Sequence, residues 1–336
     1  MKSIYLSSGY LDQGAILEEA KRSKCNFIIE IGARQVGKTY GTLQLMLRTG
    51  SKFILMRRTQ TEADFLTNGT INPFLPIDPD IVIKKETAYT GAIKKDDNVI
   101  GMTAALSTIS KIRGFYGGDF SHLVYDEFIP ERHITKMRYE AEAFLNALVT
   151  ISGNREIEGK EPLYVWLLAN SNNLASPILQ ALHVQDKIES MIQKKQELSI
   201  MSDRGIIIVL PHSEAIRERR QRDSITRAIG SASDFSRMAY GNEFAYNDAE
   251  NVKRRPLSDY KPLASIAGIL SVYQSKGDAG LYVTDDRASG VIFPDTERGK
   301  AEFVRRYTVL RAYYIAGKIG YESLTIKEKF KELFKF

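Results

Sequence analysis

Residues 32–39, Gly-Ala-Arg-Gln-Val-Gly-Lys-Thr, combine two glycines, a lysine and a hydroxyl in the spacing of a phosphate-binding loop. The glycines let the backbone wrap around phosphate groups, so that several N–H donors point inward at the start of a helix. The Lys38 ammonium would reach the β- and γ-phosphates, and the Thr39 hydroxyl would ligate Mg²⁺. The motif therefore predicts a site for ATP and Mg²⁺. Its expected nucleotide-binding residues are Gly32, Arg34, Gln35, Gly37, Lys38 and Thr39.

The segments on either side of this loop have the required secondary structure. The apolar pattern predicts a strand over residues 26–31, a helix from about 38 to 48, and a second short strand over 52–56. The alternative, a chance glycine-rich turn, does not require a strand before it and a helix after it. The context therefore favours the phosphate-binding interpretation.

A pair of carboxylates supplies the second chemical element. Asp126 and Glu127 follow an apolar segment, residues 122–125, which predicts a buried strand. At the end of such a strand Asp126 could hold Mg²⁺ through water, and Glu127 could orient and polarise an attacking water. A phosphotransferase gains nothing from activating water, so the pair favours hydrolysis. A solvated Asp-Glu turn is the alternative.

The remaining pattern predicts a mostly parallel sheet covered by helices on both faces. Hairpin strands are expected at 81–92 and 99–105, a helix at 139–150, and a strand at 163–169 that ends at Asn170.

Beyond residue 176 the pattern changes. It predicts helices over 178–198 and 213–229, with a short strand at 206–210 between them, and then strands at 266–273, 280–284 and 290–293 before terminal helices. These segments suggest an ATPase domain (1–200), a linker subdomain (201–245) and a smaller α+β domain (246–336).

The composition excludes several classes of protein. A single cysteine among 336 residues rules out an internal disulfide, and four histidines make a structural zinc site a poor expectation. No apolar run approaches the ~18 residues of a membrane span. We therefore expect no membrane partner. The net charge of +6 is concentrated towards the C-terminus, which hints at a polyanionic partner.

Several motifs carry a family resemblance. Residues 34–39, with an arginine inside the loop, and Lys111-Ile112-Arg113-Gly114 resemble motifs of viral terminase ATPases. Phe128-Ile129, Gly153-Asn154-Arg155-Glu156 and residues 167–172 are similar to later motifs of the small packaging ATPases of phi-29-like phages. The resemblance extends over roughly residues 26–175.

This resemblance implies a P-loop NTPase fold of the ASCE type and a subunit of a homomeric ring. Such a ring uses ATP to drive double-stranded DNA into a preformed capsid. The implied partners are double-stranded DNA and the portal of the procapsid, with a packaging RNA left open. The implied location is the host cytoplasm, transiently at the portal vertex.

The resemblance also implies roles for individual residues. Arg155 matches the second arginine of an Arg-Asn-Arg-Glu pattern and would reach the γ-phosphate of a neighbouring subunit as a finger in trans; the alternative is a surface salt bridge. Arg132 and Arg113 are the next candidates for the finger. Asn170 would sense the γ-phosphate and couple hydrolysis to movement, or serve only as a helix cap. Arg34 would contact the phosphates or pin the loop to a carboxylate.

The C-terminal domain resembles a degenerate nuclease of the RNase H type. The expected first strand, 269–273, holds no carboxylate, and Asp285, Asp286 and Asp295 would form an incomplete metal cluster. Nuclease activity is therefore not expected, and the domain is interpreted as a binding platform. Its candidate polyanion contacts are Lys253, Arg254, Arg255, Arg305 and Arg306.

Two other functions fit the nucleotide motif. Another DNA-dependent P-loop ATPase, such as a helicase or loader, would need a second motor lobe, for which residues 246–336 show no phosphate loop. A nucleotide-gated assembly factor would bind ATP and seldom hydrolyse it, and would not need Glu127.

Overall fold

The structure is a computed structural model. It describes residues 3–67, 71–112, 117–131, 134, 137–171, 174, 176–229, 251–277, 280–285 and 290–335. The chain divides into two compact units, the first formed by Met1–Asn173 with Met191–Ala245 and the second by Leu174–Ser190 with Tyr246–Phe336. Among the described helices, none is long and apolar enough to cross a membrane.

A nine-stranded sheet organises the first unit. Its strands, in chain order, are β1 (Phe27–Gly32), β2 (Phe53–Arg57), β3 (Val82–Lys85), β4 (Gly91–Lys95), β5 (Asn98–Ala105), β6 (His122–Asp126), β7 (Tyr164–Asn170), β8 (Leu198–Met201) and β9 (Ile206–Val209). Their spatial order is β3-β4-β5-β2-β6-β7-β1-β9-β8. The strands from β5 to β9 in that order run parallel, whereas β3, β4 and β8 are antiparallel additions at the two edges.

Helices connect these strands and cover the sheet. The helices of the first unit are α1 (Gln13–Arg22), α2 (Lys38–Thr49), α3 (Gln60–Leu66), α4 (Glu140–Ser152), α7 (Glu214–Gln221) and α8 (Ser224–Ile229). Between them in the chain, α5 (Pro177–Ala181) and most of α6 (Gln185–Gln193) belong to the second unit. The central strands are apolar on both faces: Ile28 and Ile29 in β1, and Trp166 and Leu167 in β7, are all fully buried. Such continuous apolar strands suit a parallel sheet covered on both sides.

The second unit has a five-stranded sheet in the order β13-β10-β11-β12-β14. Its strands are β10 (Tyr260–Ile266), β11 (Leu270–Ser275), β12 (Leu281–Thr284), β13 (Val291–Phe293) and β14 (Ile319–Tyr321). Its helices are α9 (Glu297–Arg306), α10 (Leu310–Ile315) and α11 (Leu324–Phe334). Strands β10, β11 and β12 form antiparallel pairs, and β13 and β14 join the outer strands in parallel.

The predicted mostly parallel α/β architecture is confirmed, but three predicted elements are wrong. The strand expected at 266–273 is interrupted by a hairpin turn, because Gly268 adopts a φ of 72°. The helix expected at 178–198 is divided where His183 adopts a φ of 46°, and the chain forms β8 from residue 198. The helix expected at 213–229 is divided into α7 and α8.

The domain boundaries also need correction. Residues 201–245 were expected to form a linker subdomain, yet β9 lies within the main sheet and pairs in parallel with β1 along Phe27–Glu30. Its side chains, from Ile206 to Val209, are buried. Residues 206–209 are therefore part of the core that supports the phosphate-binding loop.

Candidate active site

The residues of the predicted loop lie with Asp126, Glu127 and Asn170 at one edge of the large sheet, where the parallel strands β1, β2, β6 and β7 end. Arg155 does not, because it bonds to the carbonyls of Phe120 and Glu161, which precede β6 and β7. Gly32, the last residue of β1, lies opposite Asn170, the last residue of β7. The next strand is β6, which ends in Asp126. The carboxyl edge of a parallel sheet is where ligands bind in open α/β folds.

The lysine of the loop is buried among oxygen atoms. Lys38 Nζ donates hydrogen bonds to the carbonyl oxygens of Gly32 (3.0 Å) and Ala33 (2.6 Å), and to Oδ1 of Asn170 (3.3 Å). Burial lowers the pKa of Lys38 to about 8, although the nearby Glu30 acts in the opposite direction. The ammonium therefore lies at the loop, and its protonation is sensitive to this environment.

The hydroxyl of the loop contacts the first carboxylate. Thr39 Oγ1 donates a hydrogen bond of 2.9 Å to Oδ1 of Asp126. A hydroxyl and a carboxylate held this close are hard oxygen ligands of the type that Mg²⁺ prefers. The donor set therefore fits the predicted magnesium site.

Arg57, at the end of β2, holds both carboxylates. Its Nη2 lies 3.0 Å from Oδ2 of Asp126 and its Nη1 lies 2.7 Å from Oε2 of Glu127. The side chain of Asp126 is 5% exposed and that of Glu127 is 61% exposed. One guanidinium thus links a buried carboxylate to one that faces solvent.

Backbone strain accompanies this arrangement. Glu127 adopts a φ of 57° and Gln35, inside the loop, a φ of 62°. Left-handed conformations are unfavourable for residues other than glycine and concentrate at functional sites. In both cases the strained residue is one that the sequence assigned to the chemistry.

A buried polar pair lies behind the loop. Glu30, in β1, is fully buried, and its Oε2 accepts a hydrogen bond of 3.0 Å from Nε2 of Gln13 in α1. Burial raises the pKa of Glu30 to about 7, against the opposing influence of Gln13 and Lys38. The pair brings a second titratable group close to Lys38.

Arg34 forms an ion pair with Glu131 in the described conformation. Of the two roles left open by the sequence, this contact corresponds to pinning the loop to a carboxylate.

Of the three arginine candidates for a trans finger, the structure describes only Arg155. Arg155 is buried; its Nε donates to the Glu161 carbonyl (2.6 Å), and its Nη1 donates to the Phe120 carbonyl. A guanidinium held by two backbone oxygens of its own chain is a structural brace, which argues against both a finger and a surface salt bridge in this conformation. Arg113 and Arg132 lie outside the described residues.

The acidic residues predicted to form an incomplete metal cluster in the second unit contact different partners. Asp295 pairs with Lys300 at 3.0 Å, whereas the backbone N–H of Asp285 donates to Glu322, and Asp286 lies outside the described residues. Over the described ranges, no three His, Cys, Asp or Glu side chains are grouped so that they could hold a metal ion.

Sequence reasoning missed Arg57 and Glu30 as parts of the site. Arg57 directly follows the predicted strand at 52–56, and its partners are about seventy residues away in sequence. Its position at the end of a strand was a usable signal, but only together with the strand order that places β2 beside β6. Glu30 carried a signal of its own, a carboxylate inside an otherwise apolar strand.

Comparison with known proteins identifies the family. A family model for podovirus DNA encapsidation proteins (Gp16) matches residues 9–288 of the sequence. The chain belongs to this family. DNA encapsidation is therefore its role, as the resemblance in the sequence had implied. Among curated proteins, none matches the sequence significantly.

Solved structures show the same fold along the whole chain. A structure of the packaging motor assembly of bacteriophage phi-29 has a TM-score of 0.66 at 19% identity and covers 99% of each chain. The gp11 DNA packaging motor of phi-28 has a TM-score of 0.61 at 16% identity and covers 98% of this chain and 99% of its own. This chain and these motors therefore share one fold, with a large, mostly parallel sheet and a smaller second domain.

Proposed function

We propose that this chain hydrolyses ATP at residues 32–39 and uses the energy to move double-stranded DNA into a preformed capsid. The supporting observation is the 2.9 Å contact between the Thr39 hydroxyl and Asp126, with Lys38 and Glu127 at the same edge of the sheet. A phosphate loop, a pair of oxygen ligands for Mg²⁺ and an exposed carboxylate are the parts that hydrolysis of a nucleoside triphosphate requires.

The binding roles follow from the chemistry of each group. The backbone N–H groups from Gly32 to Gly37 would surround the phosphates, and Lys38 would exchange its carbonyl partners for phosphate oxygens. Thr39 would ligate Mg²⁺ directly and Asp126 through water, and the ion would supply neutralisation of phosphate charge. Asn170 would follow the movement of Lys38, since their side chains lie 3.3 Å apart.

Glu127 would act as the catalytic carboxylate. Its exposed side chain can accept a hydrogen bond from a water aimed at the γ-phosphate and take up its proton as the bond to phosphate forms. In the described conformation Arg57 donates to Oε2 of Glu127 at 2.7 Å, so this oxygen is already engaged. The water would therefore bond to Oε1, or to Oε2 after Glu127 moves away from Arg57.

The assembly is part of the same proposal. The two similar motors are solved as packaging motors, one of them explicitly as an assembly, which supports a chain that works as one subunit of a homomeric ring. The portal of the procapsid and double-stranded DNA are the partners proposed for it, with a packaging RNA as an open addition. The place of action would be the host cytoplasm, at the portal vertex.

Two variants, compared in ATP binding and ATP hydrolysis, test the proposed enzymatic activity. Lys38→Ala should abolish tight ATP binding, and Glu127→Gln should retain binding while stopping turnover, because an amide still hydrogen-bonds but no longer accepts a proton. Near-parental hydrolysis by Glu127→Gln would remove Glu127 from its role.

An unwinding assay separates the proposal from the helicase alternative. A packaging motor should show ATPase activity stimulated by double-stranded DNA without strand separation. A nucleotide-gated assembly factor should bind ATP without appreciable turnover.

A further inference from the structure

A cavity of about 370 Å³ opens into the second unit, beside β12 and β14. The residues that line it include Arg255, Tyr260, Asn251 and Lys318, together with Gly317 and Gly320. Its volume lies within the ~300–1,000 Å³ of sites that take small groups. The cavity lies outside the nucleotide site, and the proposed hydrolysis does not use it.

The charged residues that line this cavity are all positive. Arg255 and Lys318 are its ionisable cations, and no carboxylate is among its lining residues. Within the described ranges, no acidic side chain forms an ion pair with either cation. By contrast, the neighbouring Arg254 points to Glu322 at 3.5 Å. The positive charge of the cavity is therefore available to an anion.

Arg255 is held in place by neutral groups. Its Nη1 donates to the Tyr260 hydroxyl at 3.1 Å, and its backbone N–H donates to the Tyr282 hydroxyl at 3.1 Å. Bonds to hydroxyls orient the guanidinium without cancelling its charge. The guanidinium has five N–H donors, and those that do not bond to Tyr260 are available to a planar or tetrahedral oxyanion.

Glycine at position 320 makes room for this arrangement. A Cβ there would lie 3.4 Å from Cζ of Arg255 and 3.3 Å from Cδ2 of Tyr282. The guanidinium therefore packs against bare backbone. A larger residue at position 320 would have to displace Arg255 or the tyrosine ring.

We propose that this cavity binds a phosphodiester group of a nucleic-acid backbone, with Arg255 and Lys318 as its two cationic contacts. A guanidinium oriented by hydroxyls and a mobile ammonium are the groups that proteins use for phosphate, and they recognise no base sequence. The inference rests on the proposed function only for the source of the phosphodiester, since the chemistry is shared by DNA and RNA.

The test measures binding of the full chain, without nucleotide, to a duplex DNA and to a duplex RNA of equal length at several salt concentrations. Arg255→Ala and Lys318→Ala should each weaken binding by roughly tenfold at low salt, the effect of one lost charge-assisted contact. Each should also reduce the slope of log affinity against log salt by about 0.9 for B-form DNA. Arg298→Ala is the matched control, because it removes the same charge from an exposed residue of the second unit that does not line the cavity.

Gly320→Val provides a variant that changes no charge. Its side chain extends beyond a Cβ that would already lie 3.4 Å from Cζ of Arg255, so it should weaken binding by displacing the guanidinium. Thermal unfolding of each variant shows whether the fold is intact. If Arg255→Ala fails to fold, Lys318→Ala decides the question.

Weaker binding of DNA alone, of RNA alone, or of both by the cavity variants supports the proposal and identifies the source of the phosphodiester. Equal effects of Arg298→Ala and the cavity variants, or unchanged binding of both duplexes, would overturn it. Because the assay contains no ATP, a chain that binds through the cavity but does not hydrolyse ATP would contradict only the proposed function.

Discussion

Arg57 links the two carboxylates on which the chemistry depends, and only one of them is buried. The Asp126 side chain is 5% exposed, so its charge depends on Arg57 and Thr39 for compensation. Glu127 is largely exposed and in a strained backbone conformation, so it can change partners at lower cost. The same guanidinium therefore compensates the buried charge of Asp126 and forms a partly exposed ion pair with Glu127.

Arg57→Ala should lower the free energy of unfolding by roughly 1–3 kcal/mol, because it leaves a buried carboxylate without its cation. Chemical denaturation measures this change. The matched control is Lys85→Ala, which breaks an exposed pair of 3.1 Å with Asp64 and should cost less than about 1 kcal/mol. Equal costs for the two variants would show that the Arg57 pair adds nothing beyond a surface contact.

The pH dependence of ATP binding should report on Lys38. The phosphates of ATP bind the charged form of Lys38. In the free protein, burial lowers the pKa of Lys38 to about 8. Affinity should therefore be nearly constant below pH 8 and fall by up to about tenfold per pH unit above it. Binding titrations from pH 7 to 9.5 check this, and a flat profile over that range would contradict it.

Glu30→Gln tests the buried partner of that lysine. The charged form of Glu30 raises the pKa of Lys38, so its removal should lower that pKa and move the fall in ATP affinity to lower pH. A midpoint unchanged from that of the parent chain would show that Glu30 does not influence the loop.

The site residues that the sequence predicts are those whose role can be inferred from their immediate neighbours in the chain. The spacing of residues 32–39 predicts a phosphate loop by itself, and Asp126 is recognisable as the end of an apolar strand. The roles of Arg57 and Glu30 depend instead on side chains from other elements, Glu127 and Gln13. Arg155 is the opposite case: a matching motif predicts a finger, whereas its buried guanidinium donates to the carbonyls of Phe120 and Glu161.

At the scale of elements, the support of the phosphate loop comes from both sides of β1. On one side lies β7 with Asn170, and on the other lies β9. The sequence predicts β9 as a strand from its run of isoleucines but offers no motif that places it in the sheet. Strand order is a property of long-range pairing, which periodicity does not report. Likewise, the interruptions at His183 and Gly268 depend on single backbone conformations.

A pair of isoleucines tests the position of β9. Ile207 is fully buried and lies opposite Ile200 of β8, which is 37% exposed. Ile207→Ala should destabilise the chain by roughly 2–5 kcal/mol and weaken ATP binding with it, whereas Ile200→Ala should have a much smaller effect. Thermal or chemical denaturation compares the two. Similar, small losses for both would mean that residues 206–209 do not belong to the core.

At the scale of the whole molecule, the chain combines a nucleotide-binding unit with a smaller unit that presents basic residues. Arg305 and Arg306 are exposed at the end of α9, and Arg254 is 85% exposed. The overall charge of +6 suits a polyanion that is held through its backbone. The family match places this arrangement in DNA encapsidation.

Binding of DNA to the full chain should therefore weaken steeply with salt and discriminate little between sequences, since phosphate contacts carry no sequence information. Competition between unrelated duplexes at several salt concentrations measures both properties. Strong preference for one sequence would indicate base contacts, which a translocating motor does not need.

Hydrolysis at this site is proposed to drive DNA into the capsid. The most direct measurement is the amount of double-stranded DNA that becomes protected from nuclease inside procapsids when the chain and ATP are supplied. The parent chain should protect DNA, while Lys38→Ala and Glu127→Gln, the first unable to bind ATP and the second unable to hydrolyse it, should leave DNA unprotected. Protection of DNA by Glu127→Gln at the parental level would show that hydrolysis at this site does not drive DNA into the capsid.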